Sequence, residues 1–198
     1  MDDFLEQTAV RKRQGIYTLL YYACWLVIAV FGIAALISLT GVVGTDPETG
    51  RMAFSLRALI VMLVAGGIAY AMYRGKDYCR LEYDYTITNG SLDNSGVMNH
   101  RRRRYLCSVE TKDVIRCGPA TGPAFAKTLS EPGIKRHNWF VNREAKLYFF
   151  YFAKKGVKHV IVLELSDEMI STIRSKYYLQ RTAWYEADGS QHYGMGIS

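Results

Sequence analysis

The densest group of side chains able to do chemistry is His100-Arg101-Arg102-Arg103-Arg104, four adjacent arginines behind a histidine. Guanidinium groups fork onto phosphate and carboxylate oxygens, and they stay charged at any physiological pH. On a domain tethered to a bilayer, each arginine could gain about 1 kcal/mol from an anionic leaflet. That gain fades within a Debye length of about 8–10 Å, so the run must face the lipid to use it. If the run is extended, neighbours point to opposite faces, and only about half of it can address one surface. The alternative is a solvated basic turn whose arginines pair with carboxylates of the same domain.

Lys154-Lys155-Gly156 is a second basic turn. Lysine and glycine there also suit an exposed hairpin tip. Lys127, Lys135, Arg136 and His137 add positive charge nearby in sequence, and convergence of all these groups would make a phosphate-binding patch. The candidate lipid or phosphate contacts are therefore Arg101, Arg102, Arg103, Arg104, Lys154 and Lys155.

Other chemistries find little support. His100, His137, His159 and His192 are scattered, at no spacing that suggests a metal or a proton relay. Cys24, Cys79, Cys107 and Cys117 form no CxxC pair, so reduced, mostly buried thiols are expected and no metal site. No phosphate-binding loop, nucleophile elbow, zinc-protease helix or dinucleotide fingerprint occurs. We expect no catalytic residues, no enzyme activity and no cofactor. A net charge of +7 can mark a nucleic-acid binder, yet no recognised nucleic-acid fold is present, and lipid proximity explains the charge as well.

The elements that must carry these residues are of two kinds. Between Arg13 and Asp46 there is no charged residue. An apolar run of about 20 residues crosses a hydrocarbon core about 30 Å thick. The first run meets that length and opens with Tyr17, Tyr21, Tyr22 and Trp25, as an interfacial aromatic belt would. It is too long for a signal-peptide core and lacks a cleavage site of small residues. The second run ends in Tyr70 and Tyr73, and Arg57 near its start can snorkel to the interface. Ala65, Gly67, Ala69 and Ala71 form small-xxx-small pairs that let helices approach closely, though such residues are also ordinary helix composition. Neither span carries a charged residue at mid-depth, which argues against an ion or proton pathway.

Arg11, Lys12 and Arg13 precede the first span, and Arg74, Lys76 and Arg80 follow the second, whereas the linker holds Arg51 with Asp46 and Glu48. The positive-inside rule then puts both termini in the cytoplasm. The expected order is a cytoplasmic segment 1–14, a helix 15–40, an external loop 41–53, a helix 54–74, a cytoplasmic domain 75–185 and a loose tail 186–198.

Beyond Leu81 the hydrophobic period becomes two. Tyr83, Tyr85 and Ile87 share one face of a strand that ends in the hairpin signal Asn89-Gly90. Ser91 to Val97 returns weakly, interrupted at Ser95-Gly96, and Tyr105 to Glu110 follows. Three of the four prolines lie between Gly118 and Lys135, which reads as a long loop or irregular excursion. Trp139 to Val141 begins a strand, and Leu147–Phe152 with Val157–Leu165 forms a hairpin. Ser166 caps a closing helix with Met169, Ile170, Ile173, Tyr177 and Trp184 on its apolar stripe.

Antiparallel strands followed by one amphipathic helix resemble the bacterial pleckstrin-homology-like (PH-like) domains that accompany membrane helices. The stretches carrying the resemblance are Tyr85 to Leu92, Arg104 to Val109 with Asp113 to Ile115, and Leu147 to Lys176. The chain as a whole looks like a bacterial two-helix membrane family of that design. The resemblance implies a membrane α-helical hairpin plus an α+β domain, an antiparallel β-barrel or sandwich with a capping helix. It also implies a non-catalytic binding or scaffolding role, with anionic inner-leaflet lipids and a protein partner or second copy as ligands. The alternative is an accessory subunit of a larger membrane complex, a transporter or secretion assembly, using the hairpin as its interface.

Overall fold

The computed structural model describes residues 4–45, 52–175, 179 and 183–191. The linker residues Asp46 to Arg51, Lys176, Tyr177 and the end of the tail from His192 lie outside the described residues. The chain divides into two compact units: Arg13–Arg80 is one, and Met1–Lys12 with Leu81–Ser198 is the other.

In the helical unit, α1 is Gln14–Val42 and α2 is Leu56–Gly75. Both are long and apolar enough to cross a membrane. At 1.5 Å per residue they measure roughly 43 and 30 Å. Two short strands, β2 (Val43–Thr45) and β3 (Met52–Phe54), pair between them. Ser55 caps α2, its Oγ accepting from the Ala58 N–H at 3.3 Å. Shielded positions on α1 recur as Tyr17, Tyr21, Cys24, Ile28, Phe31, Ala35, Ser38 and Val42. That 4-3 spacing is the seam of a coiled-coil-like pair. The opposing seam on α2 is three alanines and one methionine: Ala58, Met62, Ala65 and Ala69. A Cβ on Gly41 would lie 3.5 Å from the Ala58 methyl, so the helices nearly touch there. The antiparallel return also brings the basic flank of α2 to the aromatic start of α1. The Arg80 guanidinium sits 4.1 Å from the Tyr21 ring, and the Lys76 ammonium lies 4.3 Å from Tyr73 and 5.3 Å from Trp25.

The other unit contains two sheets. The first is ordered β1-β4-β5-β6 and is antiparallel throughout: β1 Phe4–Ala9, β4 Leu81–Thr88, β5 Ser91–Met98 and β6 Arg102–Glu110. The segment expected as a plain lead-in to the membrane is therefore an edge strand, with Phe4 opposite Thr88 and Ala9 opposite Tyr83. Its side chains latch onto the rest of the unit. Gln7 Nε2 donates to the Glu164 carbonyl at 3.0 Å, and its Oε1 accepts from the Ser166 N–H at 2.7 Å. Asn142 accepts from the Lys12 N–H at 2.9 Å and donates to the Val10 carbonyl at 2.8 Å. Asn89 and Gly90 both have positive φ, as the turn signal requires. Strand β5 is continuous through Ser95-Gly96. The irregularity falls on β6, where Leu106 bulges between Tyr105 and Cys107.

The second sheet is ordered β7-β9-β10-β8: β7 Val114–Pro119, β8 Ile134–Trp139, β9 Tyr148–Lys154 and β10 Val157–Leu163. Here the expectation of antiparallel strands needs correction, because β8 runs parallel to β10. The region expected as an irregular excursion is also corrected. It completes β7, contains helix α3 (Pro123–Leu129) and opens β8. Proline at the first helical position is pre-set for the helix and lacks only an N–H that would be unpaired anyway. Trp139, expected to begin a strand, ends one.

Both sheets contribute to one core cluster, with Tyr85, Ile87, Leu92 and Val109 from the first and Cys117, Phe150, Ile161 and Leu163 from the second. Tyr85 is fully buried, and its hydroxyl donates to the Trp139 carbonyl at 2.5 Å. Helix α4 (Asp167–Ser175) adds Met169, Ile170 and Ile173. Ser166 caps it as expected, its Oγ accepting from the Met169 N–H at 3.2 Å. Trp184 is not on that helix. It lies in a short bridge alongside Cys117, where the chain returns to cover the edge of β7. A Cβ at Gly118 would overlap the Tyr185 carbonyl oxygen, which explains glycine at that close approach.

The other face of the second sheet carries Phe149, Tyr151, Val160 and Val162, covered by Ala124, Phe125 and Leu129 of α3. Glu131 clamps this layer by accepting from Lys158 Nζ at 3.0 Å, Arg116 Nη1 and Tyr151 Oη at 3.0 Å. These donors, Lys158 first, hold its pKa down at about 2 against a usual 4.5. The stabilisation is therefore full above about 4.5 and fades as pH falls toward 2. Glu131→Gln should lower the thermal midpoint at pH 7, and the wild-type and variant curves should converge near pH 2.

Candidate functional site

The arginine run begins on a tight turn. Asn99 and His100 both hold positive φ, and the Arg101 N–H donates to the Met98 carbonyl at 3.1 Å. The strand that follows divides the run by face. Arg103 points to the outer face of the first sheet, 3.3 Å from Asp84 and 3.3 Å from Glu6. His100 Nδ1 lies 3.1 Å from the Glu82 carboxylate on that same face. Arg102 and Arg104 pair with Met98 and Gly96 in the ladder, so the pleat turns them to the opposite face. Arg101, Arg102 and Arg104 are exposed. Among the described residues they have no carboxylate partner. Arg103 is thus neutralised within the domain, as the solvated-turn alternative expects for the whole run, and the other three arginines keep their charge unpaired among the described residues.

The second basic turn also splits. Lys154 Nζ donates to the Ser108 carbonyl at 3.2 Å and lies 3.9 Å from Cys107 Sγ, linking β9 to β6. Lys155 stands exposed at the tip with positive φ. The four loop cations do not converge as one patch. Arg136 lies over the Phe125 ring at 5.4 Å, on the α3 side of the sheet. Lys127 is exposed on α3 itself. Lys135 and His137 alternate to the other face of β8.

On that inward face the structure brings together two histidines whose sequence spacing gave no hint of contact. His137 Nε2 and His159 Nδ1 are 3.3 Å apart. Their rings stack at 5.5 Å, with Phe152 stacked 5.6 Å beyond His159 and Trp139 5.2 Å beyond His137. Lys135 lies opposite His159 in the parallel ladder. Burial lowers the His159 pKa, and the positive charges of His137, Lys135 and Lys154 lower it further. Contact between these rings depends on the parallel register of β8 against β10, which no local pattern encodes. Among the described residues no cluster of three metal-ligating side chains exists.

The small residues of α2 also divide. Ala65 is buried and Ala69 half-buried in the seam against α1, whereas Gly67 and Ala71 face outward.

The family model described as a bacterial PH-like domain (DUF6106) matches residues 1–182. Comparison with curated proteins and with solved structures gives no match.

Proposed function

Because this chain belongs to the family of bacterial PH-like domains, we propose that it is a non-catalytic, membrane-anchored binding and scaffolding protein working at the inner leaflet. The observation that carries this reading is the β1–β4 ladder. The apolar helix pair is inserted between two neighbouring strands of one sheet. Both flanks of the anchor must then emerge on one side of the bilayer, since strands on opposite sides cannot pair. The basic residues on both flanks favour the cytoplasm as that side. In this reading the units are 1–14, 15–40, 41–53, 54–74, 75–185 and 186–198, with β1 belonging functionally to the soluble part, and the two sheets with α4 close as a PH-like sandwich.

Arg101, Arg102 and Arg104 supply the lipid-directed charge, and Lys155 is a further exposed cation at the tip between β9 and β10. The partner engaged by the rest of the domain is a protein or a second copy. A cysteine-accessibility scan tests the placement. Cysteines introduced at Asp46 and near Ser198 in intact cells should differ, the first reacting with an impermeant maleimide and the second not. Equal reactivity would end the proposal.

A second reading, an accessory subunit of a membrane complex, is favoured by one observation. Gly67 and Ala71 lie on the outward face of α2, while Ala65 and Ala69 are already used against α1. Small outward residues permit close docking of another helix. Gly67→Leu with Ala71→Leu should then release copurifying partners while leaving the protein in the membrane.

A further inference from the structure

We propose that the open edge of β8 takes up an extended acidic segment of a partner protein as an added strand, which names a surface and a partner class within the binding role given above. The second sheet has two edges, β7 and β8. The chain itself closes the first: the Cys117 N–H donates to the Ala183 carbonyl at 2.7 Å, and the Tyr185 N–H donates to the Cys117 carbonyl at 2.8 Å. Among the described residues nothing closes the second. All six residues of β8 pair with β10 in one unbroken register, and no backbone bond reaches the far side of the strand. Successive strand residues send their N–H and C=O groups to opposite sides, so about half of these groups stay open to a further strand. The Trp139 carbonyl already accepts from the Tyr85 hydroxyl, which leaves residues 134–138 as the accepting stretch.

Two observations select the occupant. The first is charge. Lys135 and Arg136 are exposed, and neither forms an ion pair among the described residues. Glu131, just before β8, is already shared by Lys158, Arg116 and Tyr151. In solvent the two cations need no partner. Beside an incoming strand they attract carboxylates and repel lysines, which sets the choice of partner. The second observation is apolar surface. Ile134 and Trp139 lie on opposite faces of β8, each half-buried at the rim of one of the two hydrophobic clusters. A strand laid along the edge would extend both faces and cover both rims, so apolar side chains interspersed with carboxylates fit it. Other occupants fit less well. A second copy would set two basic strands side by side, the repulsion by which charged edges resist self-association. Residues 192–198 hold no acidic side chain.

The test uses the full chain in phosphatidylcholine nanodiscs and a short, end-blocked, fluorescent peptide of alternating glutamate and valine. Anisotropy measures binding, and amide hydrogen exchange over residues 134–138 shows whether the edge becomes hydrogen-bonded. The peptide should bind and slow exchange at alternate β8 amides by about tenfold or more. The same peptide with lysine in place of glutamate should not bind. Methylating the peptide's backbone nitrogens removes the ladder donors and keeps the charge, and it should abolish binding without any change to the protein. Lys135→Gln with Arg136→Gln, both at exposed positions, should weaken binding about tenfold. Absence of binding at low salt would overturn the proposal. So would binding that survives methylation, which is adsorption of charge alone, or binding that the double variant leaves intact. Slow exchange at these amides before peptide is added would mean that a second copy or residues 192–198 already occupy the edge, and it would overturn the proposal too. Cysteine accessibility at Asp46 and near Ser198 is independent of all these outcomes, so failure here leaves the membrane placement standing.

Discussion

A chain begun at Lys76, so that the hairpin and β1 are both removed, should yield a domain that aggregates, whereas joining Lys12 to Leu81 through a short turn should yield a soluble, folded monomer. The difference is one strand. Removing β1 deletes six ladder pairs and uncovers the backbone edge of β4. At about 0.5–1.5 kcal/mol net per hydrogen bond, the loss is on the order of 5 kcal/mol. That rivals the whole stability of a small domain, about 5–15 kcal/mol. The loss also takes Ala9 and Leu5 from the core and the Gln7 bonds from Glu164 and Ser166. An uncovered β4 would present unpaired N–H and C=O groups to other chains. Size-exclusion chromatography and thermal melts of the two versions give the answer directly. Equal behaviour would mean that β1 contributes little.

The second large effect concerns the arginines. In the version with the hairpin excised, replacing Arg101, Arg102 and Arg104 by Gln should weaken binding to phosphatidylglycerol vesicles by about 3 kcal/mol, on the order of 100-fold. Flotation or sedimentation at low salt would measure it. Arg103→Gln should behave differently. Its guanidinium is 3.3 Å from both Asp84 and Glu6, so its removal unmasks two carboxylates and lowers stability slightly, by the few tenths to 1 kcal/mol expected of an exposed pair. Loss of vesicle binding from Arg103→Gln alone, with the other three intact, would contradict the division of the run by strand face. Raising salt should erase the vesicle effect, since exposed charges are screened within about 10 Å.

These predictions rest on features of unequal legibility in the sequence. The apolar helices were readable because length and the absence of charge are local properties. Asn89-Gly90 and the Ser166 cap were readable because each uses one residue's own conformational or hydrogen-bonding preference. Strand β1 was not, because Phe4 to Ala9 alternates only weakly and its partner lies beyond the whole hairpin. Helix α3 was obscured by its own punctuation: Pro119, Pro123 and Pro132 suggested a loop, although Pro123 starts the helix. The histidine pair was hidden for a third reason. Its members approach only because β8 passes beyond β10 and runs parallel to it, and pairing partners in a parallel sheet cannot be read from either strand alone. The arginine run was visible as charge, but its division into a neutralised member and three unpaired ones depended on Glu6 in the unforeseen strand.

On the proposed membrane-anchored reading, placing the helix pair between β1 and β4 has a consequence for biogenesis. The ribosome delivers Phe4–Ala9 first, and that segment must wait, unpaired, until residues 81–88 emerge. If only one helix inserts, the early segment and its partner are separated by the bilayer and the sheet stays incomplete. Completion of the sheet thus reports correct insertion of both spans, and the naked edge of a failed molecule would offer chaperones and proteases a handle for removing it.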